Sequence, residues 1–233
     1  MQTATYQRRR SQIETYFDRT AADAWARLTS DAPVSGIRAT VRAGRDEMRR
    51  TLLAWLPDDL TGKRLLDAGC GTGTFAIEAA RRGAQVLAID VSPSLIKIAR
   101  ERSEGQAPEG SIIHEVGDML DGQYGIFDHV VAMDSLIHYH PDDMVRSLAS
   151  LAPRIRRSML MTFAPKTPLL AAMHFVGRAF PRGDRAPAIE PVAERSLKAR
   201  ITGERHLMSW DLGQDRRISR GFYTSHALEL VRK

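Results

Sequence analysis

The sequence predicts an α/β protein built on a doubly wound, mostly parallel sheet. From about residue 61 onwards, apolar segments of strand length alternate with amphipathic segments of helical length. A loop with three alternate glycines joins the first of these strands directly to the first helix, and acidic residues follow several strands. Right-handed crossovers bring the carboxyl ends of parallel strands to one edge of the sheet. We therefore expect a ligand site at that edge.

The first 60 residues are expected to form a helical arm ahead of the sheet domain, which would span 61–233. The arm should contain two helices. In the first, the apolar residues from Ile13 to Leu28 fall near one face, and the segment 30–33 should end it. The second helix is expected over about 35–56.

The second arm helix carries a row of arginines at helical spacing, namely Arg38, Arg42, Arg45 and Arg49. Gly44 lies in the middle of this helix, where glycine is less favourable than alanine. The arginines either form a solvated face beside a tolerated glycine, or mark a face that a ligand or another backbone approaches closely. The sequence leaves both interpretations open.

Beyond the arm, the pattern predicts five strands with three helices between them. The strands are expected near 63–68, 84–90, 111–116, 127–133 and 158–163. The helices are expected near 74–82, 93–103 and 141–152. A ligand beyond the carboxyl ends of these strands would meet Gly69, Asp90, Asp118 and Asp134.

The loop after the first strand has the sequence Asp67-Ala68-Gly69-Cys70-Gly71-Thr72-Gly73. Glycine lets a backbone turn tightly and approach a ligand, and the following helix offers free N–H groups. A phosphate-binding P-loop needs a lysine after its last glycine, whereas Thr74 and Phe75 follow here. The alternate glycines with a preceding acid instead resemble the first motif of the class I S-adenosylmethionine-dependent methyltransferases.

This resemblance implies a Rossmann-like fold in which the acid and the loop backbone hold the methionyl part of S-adenosylmethionine. The loop residues that match this role are Asp67, Gly69, Cys70, Gly71 and Gly73. It also implies a seven-stranded sheet that ends in an antiparallel hairpin, expected here near 206–220 and 225–232.

Asp90 ends the second predicted strand and lies 17 positions after Gly73. This is close to the offset at which an acid binds a ribose diol in related folds. A carboxylate suits two hydroxyls because it can accept a hydrogen bond from each. Helix capping is the alternative role, but Ser92 already suits that position.

The segment Gly117-Asp118-Met119 follows the third predicted strand. It resembles the adenine site of the same class of methyltransferases, in which the acid accepts from the adenine amino group and the next residue packs on the ring. Val91 and Asp134 complete the set of candidate cofactor-binding residues.

The composition narrows the remaining classes. The 233-residue chain has a net charge of +6, compatible with nucleic acids, anionic membranes or acidic substrates. Its arginines are spread out without an aromatic-rich platform, so we expect no nucleic-acid partner. The single cysteine, Cys70, excludes a disulfide framework. Since no apolar run approaches ~20 residues and no signal-peptide core is present, we expect a cytoplasmic protein.

An insertion at about 165–190 separates the fifth strand from the hairpin. Its segment 169–180 would be apolar nearly all round as a helix, so another surface must cover it. Three interpretations stay open: a helix packed on the domain, a lid that walls a large apolar substrate, or a shallow membrane contact. In the lid interpretation, Phe175 is a candidate substrate contact.

Several segments outside the glycine loop point to a narrower family. They are Tyr16-Phe17-Asp18-Arg19-Thr20 with Trp25, Val41-Arg42-Ala43-Gly44-Arg45, Asp134-Ser135-Leu136-Ile137-His138-Tyr139, Thr162-Phe163-Ala164-Pro165-Lys166-Thr167-Pro168 and Gly221-Phe222-Tyr223-Thr224-Ser225. Together they resemble the magnesium-protoporphyrin IX methyltransferase family of bacteriochlorophyll and chlorophyll synthesis, over nearly the whole chain.

The resemblance implies methyl transfer from S-adenosylmethionine to one propionate of magnesium-protoporphyrin IX. It assigns catalytic importance to His138 and to an arm tyrosine, Tyr16, with Tyr6 as the alternative. The candidate substrate contacts are Tyr139, Arg42, Arg45 and Phe175. Magnesium is expected only as part of the substrate, with no metal site formed by the protein.

The family also implies a partner, the large subunit of magnesium chelatase, and leaves open a peripheral contact with the photosynthetic membrane. Three rival functions remain: a methyltransferase for another small molecule, a nucleic-acid methyltransferase, and a non-catalytic porphyrin carrier. The arm and the insertion argue against the first. The acids Asp67, Asp90 and Asp118 argue against a carrier.

Overall fold

Seven β-strands in one sheet form the centre of the fold. The computed structural model describes residues 2–18, 22–30, 33, 36–106, 109–166 and 188–233. The helices are α1 (Ala4–Tyr16), α2 (Ala22–Leu28), α3 (Gly36–Ala54), α4 (Thr74–Arg81), α5 (Pro93–Ser103), α6 (Pro141–Leu151) and α7 (Glu194–Gly203). The strands are β1 (Arg64–Ala68), β2 (Gln85–Asp90), β3 (Ser111–Val116), β4 (Phe127–Ala132), β5 (Ile155–Phe163), β6 (Trp210–Arg220) and β7 (Tyr223–Arg232).

The strand order is β3-β2-β1-β4-β5-β7-β6. Strands β1 to β5 pair in parallel, and β7 lies antiparallel between β5 and β6. The winding direction of the chain reverses between β1 and β4, which is the switch point where open α/β sheets bind ligands. The predicted seven-stranded Rossmann-like fold and its terminal hairpin are confirmed.

The core lies on both faces of the sheet. Leu66 and Leu87 belong to the same buried cluster as side chains of α6 and α7, whereas their neighbours Leu65 and Val86 belong to a cluster that includes side chains of α3 and α4. Successive residues of a strand point to opposite faces, so helices cover both. Tyr6 belongs to the first cluster, which means that α1 shares the core of the sheet. The division into a 1–60 arm and a 61–233 domain stays a prediction.

The first predicted arm helix is wrong as a single element, because the structure divides it into α1 and α2. In one straight helix, Phe17 and Trp25 would lie about 12 Å apart along the axis. Their ring centroids are instead 5.6 Å apart, edge to face. Asp18 marks the division: its Oδ1 accepts hydrogen bonds from the Ser94 backbone N–H at 3.1 Å and from the Ser94 hydroxyl at 2.6 Å. This contact ties the end of α1 to the start of α5.

Helix α7 was not predicted. Its first residue follows Ala193, which supplies no side-chain cap, so a usual signal for a helix start is missing. It buries only Leu197 and Ile201, one turn apart, which gives a weak amphipathic pattern.

Gly44 is explained by a close side-chain contact. A Cβ atom at this position would lie 2.4 Å from Cδ1 of the Tyr223 ring. The glycine in α3 therefore admits an aromatic ring from β7, rather than the ligand or backbone that the sequence suggested.

Most of the predicted insertion, residues 167–187, lies outside the described residues, as do Phe175 and the proposed apolar helix at 169–180. Among the helices that the structure describes, none combines the length and apolar character that crossing a bilayer requires.

Candidate active site

An open cleft lies beyond the carboxyl ends of β1, β2 and β4. Its volume is about 1090 Å³, part of it open to solvent. The lining combines the glycine loop and the carboxylates after the strands with aromatic side chains of the N-terminal helices, so the cleft offers polar and apolar surface to one ligand.

Most of the residues singled out in the sequence line this cleft: Asp67, Gly69, Cys70, Gly71, Asp90, Val91, Met119, Asp134, His138, Tyr139, Arg42 and Arg45. Three others, Gly73, Asp118 and Tyr16, lie outside the lining. Gly73 begins α4 as its N-cap residue. Burial raises the pKa of the Cys70 thiol well above its usual range, which fits a small filler in a tight loop rather than a reactive thiol.

The glycine loop needs its glycines for backbone conformation and for space. Gly69, Gly71 and Gly73 all have positive φ angles, of 81°, 55° and 76°. A Cβ atom at Gly69 would lie 2.4 Å from Cβ of Ser135, and one at Gly71 would lie 3.4 Å from the Trp25 indole nitrogen. The loop is therefore held between the segment after β4 and helix α2.

Asp67 is a buried acid at the mouth of the loop. Among the described residues, no hydrogen-bond partner reaches its Oδ2 atom. Burial, together with the nearby charge of Asp90, raises the pKa of Asp67 to about 7. A buried carboxylate oxygen without a partner is costly, so this atom fits a cationic or hydrogen-bond-donating group of a ligand.

Asp90 shapes the loop and still has acceptor capacity. Its Oδ2 accepts from the Gly71 N–H at 2.9 Å and its Oδ1 accepts from the Ser92 N–H at 2.9 Å. Burial raises the pKa of Asp90. A carboxylate has about four acceptor positions, so two remain for a pair of ligand hydroxyls. Ser92 itself caps α5 through the Leu95 N–H, as predicted.

Asp118 is covered by helix α1. Its Oδ1 accepts from the Tyr6 hydroxyl at 2.9 Å, and Arg10 Nε lies 3.5 Å from Oδ2. The Tyr6 ring stacks on Tyr139 with a centroid distance of 4.7 Å. Burial raises the pKa values of both tyrosines, so both hydroxyls stay protonated. Of the two arm tyrosines, Tyr6 lines the cleft and Tyr16 does not.

Asp134 is surrounded by donors from the protein. Its carboxylate pairs with Arg45 and accepts from Tyr223 at 3.1 Å, Ser225 at 3.3 Å and Thr162 at 3.1 Å. These donors come from α3, β5 and β7. Its assignment as a cofactor contact stays a prediction, because these protein groups already occupy most of its acceptor positions.

The arginine face of α3 is also engaged within the protein. Arg42 donates to the Leu28 carbonyl at 2.9 Å and the Arg27 carbonyl at 2.7 Å. Besides its pairing with Asp134, Arg45 lies over the Trp25 ring at 4.6 Å. Direct binding of a ligand carboxylate by Arg42 or Arg45 therefore stays a prediction.

His138 lies in a 3-10 turn after β4 and is 8% exposed. Its Nδ1 is 3.3 Å from the Ala188 carbonyl oxygen. A carbonyl only accepts, so Nδ1 carries the proton in this contact. The ring also meets Phe17 edge-on at 6.2 Å, and Phe17 in turn meets Tyr16 at 5.1 Å. His138 is thereby held between the end of α1 and the chain after the insertion.

A second cluster of polar groups lies away from the cleft, between α7 and the hairpin. Glu194, Asp215 and His226 have candidate ligand atoms within 4.8 Å of one another. Lys198 Nζ is hydrogen-bonded to both carboxylates, so its ammonium group supplies the positive charge that a metal ion would otherwise supply. The cluster is therefore an ion-pair network.

The sequence did not single out Ser135 and Phe17 for their own roles in the site, although both stood within quoted motifs. Among the described contacts, the Ser135 hydroxyl is buried in the cleft wall without a partner. Phe17 joins Trp25 and His138 in an aromatic wall. Neither position carries a local pattern that separates it from ordinary core residues.

Three carboxylates thus mark the ends of β1, β2 and β3. The partnerless oxygen of Asp67 fits an ammonium group, and Asp90 fits a diol. Met119 and Tyr139 offer apolar surface to a planar ring. This arrangement is chemically suited to an amino-acid-bearing nucleoside.

Comparisons with known proteins give this cleft a family context. Residues 132–232 match the family described as magnesium-protoporphyrin IX methyltransferase C-terminus, and residues 65–157 match a methyltransferase domain. Magnesium-protoporphyrin O-methyltransferase of Rhodobacter capsulatus is 49% identical over 221 residues, which are 94% of this chain and 95% of the relative.

Two solved structures of magnesium protoporphyrin IX methyltransferase from Synechocystis PCC 6803 have the same architecture. The form with bound SAH gives a TM-score of 0.83 at 27% identity and covers 96% of this chain and 99% of that one. The form with bound SAM gives a TM-score of 0.79 at 26% identity and covers 97% of each chain.

The burial of Asp67 predicts an unusual pH dependence of stability. An acid whose pKa rises on folding from 3.8 to about 7 destabilises the ligand-free fold as pH increases through that interval. Asp67→Asn removes this effect, so the free energy of unfolding of the variant relative to wild type should increase from pH 5 to pH 8. The linkage scale is about 1.4 kcal/mol per pKa unit.

Urea unfolding at pH 5, 6, 7 and 8 measures the effect. The matched control is Asp58→Asn, because the Asp58 side chain is fully exposed. It should leave the pH dependence as in wild type. A constant difference between Asp67→Asn and wild type across this range would contradict the argument.

Proposed function

The chain belongs to the magnesium-protoporphyrin O-methyltransferase family, and from this we propose that it transfers the methyl group of S-adenosylmethionine to a propionate carboxylate of magnesium-protoporphyrin IX. The products are the monomethyl ester and S-adenosylhomocysteine, in a step of bacteriochlorophyll synthesis. Within the structure, the observation that best supports a methionyl cofactor is the partnerless buried oxygen of Asp67 beside the glycine loop.

We assign the cofactor subsites by the chemistry of each residue. Asp67 would bind the ammonium group, the glycine-loop backbone would enclose the methionyl chain, and Asp90 would accept from the ribose hydroxyls. Asp118 and Met119 would contact the adenine, with Val91 beside the ribose. Bound there, S-adenosylmethionine supplies a methyl group on a sulfonium sulfur.

The protein's task in this reaction is mainly positioning. A carboxylate is ionised at neutral pH, since its pKa is near 4, and needs no general base. The propionate oxygen must lie in line with the methyl group, so orientation contributes most of the rate. Opposite charges are neutralised in the transition state, and cations bound to the attacking oxygen would stabilise the ground state instead. The engagement of Arg42 and Arg45 by protein acceptors limits that effect.

His138 and Tyr16 are proposed to hold the propionate and macrocycle. His138 faces the cleft with Nδ1 directed at Ala188, which fixes the ring plane. The Tyr16 ring contacts Phe17, which lines the cleft. The arm of residues 1–60 and the insertion of about 165–190, including Phe175, would cover the macrocycle.

The direct test is incubation with labelled S-adenosylmethionine and magnesium-protoporphyrin IX, with metal-free protoporphyrin IX as the control. We expect labelled monomethyl ester in the first reaction and much less in the second. Equal amounts of ester from both porphyrins would show that the enzyme does not recognise the magnesium ion. No ester from either would overturn the substrate assignment and favour another small acceptor.

Replacement of His138 tests its role in the reaction. His138→Ala should lower kcat/KM for the porphyrin about 10-fold or more, because a hydrogen bond to a charged group contributes about 1.5–3 kcal/mol. His140→Ala is the matched control, since His140 follows in the same loop with its side chain 60% exposed. Tyr6→Phe and Tyr16→Phe in the same assay separate the two arm tyrosines. An unchanged rate in His138→Ala would remove that residue from the mechanism.

Delivery of the apolar substrate involves a membrane surface or a partner. Ile37 and Phe222 are about half exposed, and Phe222 lies beside Thr40 of α3. Two exposed arginines of β6, Arg216 and Arg220, lie on the strand that leads to this tip, and both pair with Glu47, so the group keeps a net positive charge. Apolar side chains beside cations are typical of contacts with anionic lipid. Family membership supports the large subunit of magnesium chelatase as the supplier.

Flotation with phosphatidylglycerol vesicles tests the surface contact. Phe222→Ser should lower the vesicle-bound fraction, whereas Met208→Ser, at a more exposed site elsewhere, should not. Equal binding by both variants would exclude Phe222 as a lipid contact.

The chelatase partner is tested separately: substrate presented on the large subunit of magnesium chelatase should be methylated faster than free substrate.

A further inference from the structure

Arg102, on α5, connects the glycine loop to helix α2. Its Nη1 lies 2.7 Å from the Thr72 hydroxyl and 2.9 Å from the Thr29 hydroxyl. Its Nη2 donates to the Ala26 carbonyl at 2.7 Å. The Thr72 hydroxyl itself lies 2.9 Å from that of Thr29. One guanidinium thus binds the loop and the end of a helix at the same time.

Helix α2 depends on such contacts because it is short. Seven residues are fewer than the ~12–15 that form a stable helix alone, and its last carbonyls need donors. Arg102 supplies one donor group, and Arg42 of α3 supplies another. A cation at a helix C-terminus also interacts favourably with the helix dipole.

Helix α2 carries Trp25, which covers the loop. The indole nitrogen would lie 3.4 Å from a Cβ atom at Gly71, and the ring lies beneath Arg45, which pairs with Asp134. Contacts therefore continue from Thr72 through α2 to the segment that carries His138. A shift of α2 would uncover the glycine loop and loosen Arg45.

We propose that Arg102 is a positioning residue for S-adenosylmethionine: by binding both Thr72 of the glycine loop and the end of α2, it holds α2, and so Trp25, over the loop. The inference rests on the proposed function. Arg102 is absent from the cleft lining and acts through the elements it joins. Thr72 is 2% exposed, so the contact is sheltered from solvent. The geometry links the shape of the loop to the placement of the arm.

The test compares Arg102→Met with Arg100→Met. Arg100 is on the same helix, and among the described contacts it donates to one carbonyl, that of His114 on β3, at 2.8 Å. Arg102→Met should raise the calorimetric Kd and the KM for S-adenosylmethionine about 10-fold, because it removes charge-assisted hydrogen bonds. The KM for the porphyrin should change less than about twofold. Arg100→Met should leave both constants near wild type.

Thr72→Val removes only one hydroxyl of the connection. It should raise the cofactor Kd by a smaller factor. Arg102→Met/Thr72→Val should raise the Kd by less than the product of the two single factors, because the two groups act together. In a Trp55→Phe/Trp210→Phe background, Arg102→Met should shift the Trp25 emission to longer wavelength. Urea unfolding of each variant reports global stability separately.

Equal effects of Arg102→Met and Arg100→Met, or additive effects of the double variant, would overturn the proposal and leave a structural role. The binding and fluorescence measurements need no porphyrin. If wild type binds S-adenosylmethionine with this pattern but esterifies no porphyrin, the proposed substrate fails and the positioning role stands. If wild type does not bind S-adenosylmethionine, both fail.

Discussion

The arrangement of the cleft depends on the hydrogen bonds and the ion pair around the carboxylate of Asp134. Asp134 follows β4 and has a φ angle of 54°, in a region that non-glycine residues rarely adopt. A buried charge is tolerated only with donors around it, and here α3, β5 and β7 each supply one or more. These donors offset the backbone strain and fix the direction of the chain that follows. The turn with His138 is placed over the cleft as a result.

The N-terminal helices cover the cleft through both apolar and polar contacts. Tyr6 and Ile13 of α1 are buried in the core cluster of the sheet. The Tyr6 hydroxyl donates to Asp118, Arg9 pairs with Glu190, and Asp18 accepts from Ser94. Each polar contact contributes on the order of 1 kcal/mol, so the buried side chains hold the helix and the polar contacts set its position. The Tyr6 hydroxyl also occupies an acceptor position of Asp118, the acid assigned to the adenine amino group.

What the sequence predicted well is local chemistry. The glycine loop, Asp67 and Asp90 lie within one β-α-β unit, so their spacing indicated that they are neighbours. The bounds of β1 to β4 followed from apolar periodicity to within about one residue, whereas β5 begins at Ile155, ahead of its predicted start. What it missed depends on distant partners: the Tyr6 hydroxyl donates to a residue 112 positions away, and arginines of α3 find acceptors on α2 and in the segment after β4. Gly44 is a similar case, because the residue that requires a glycine there is Tyr223, on the last strand.

Two buried acids in the cleft differ in whether the protein itself satisfies their hydrogen-bonding capacity. Asp134 receives several donors from the protein, so its charge is satisfied before any ligand arrives. Asp67, on β1 beside β4 in the parallel sheet, keeps one oxygen without a partner among the described residues. The fold is less stable for leaving that oxygen open. We expect a ligand ammonium bound to that oxygen to recover this loss, so that the folding penalty would add to the affinity for a cationic ligand.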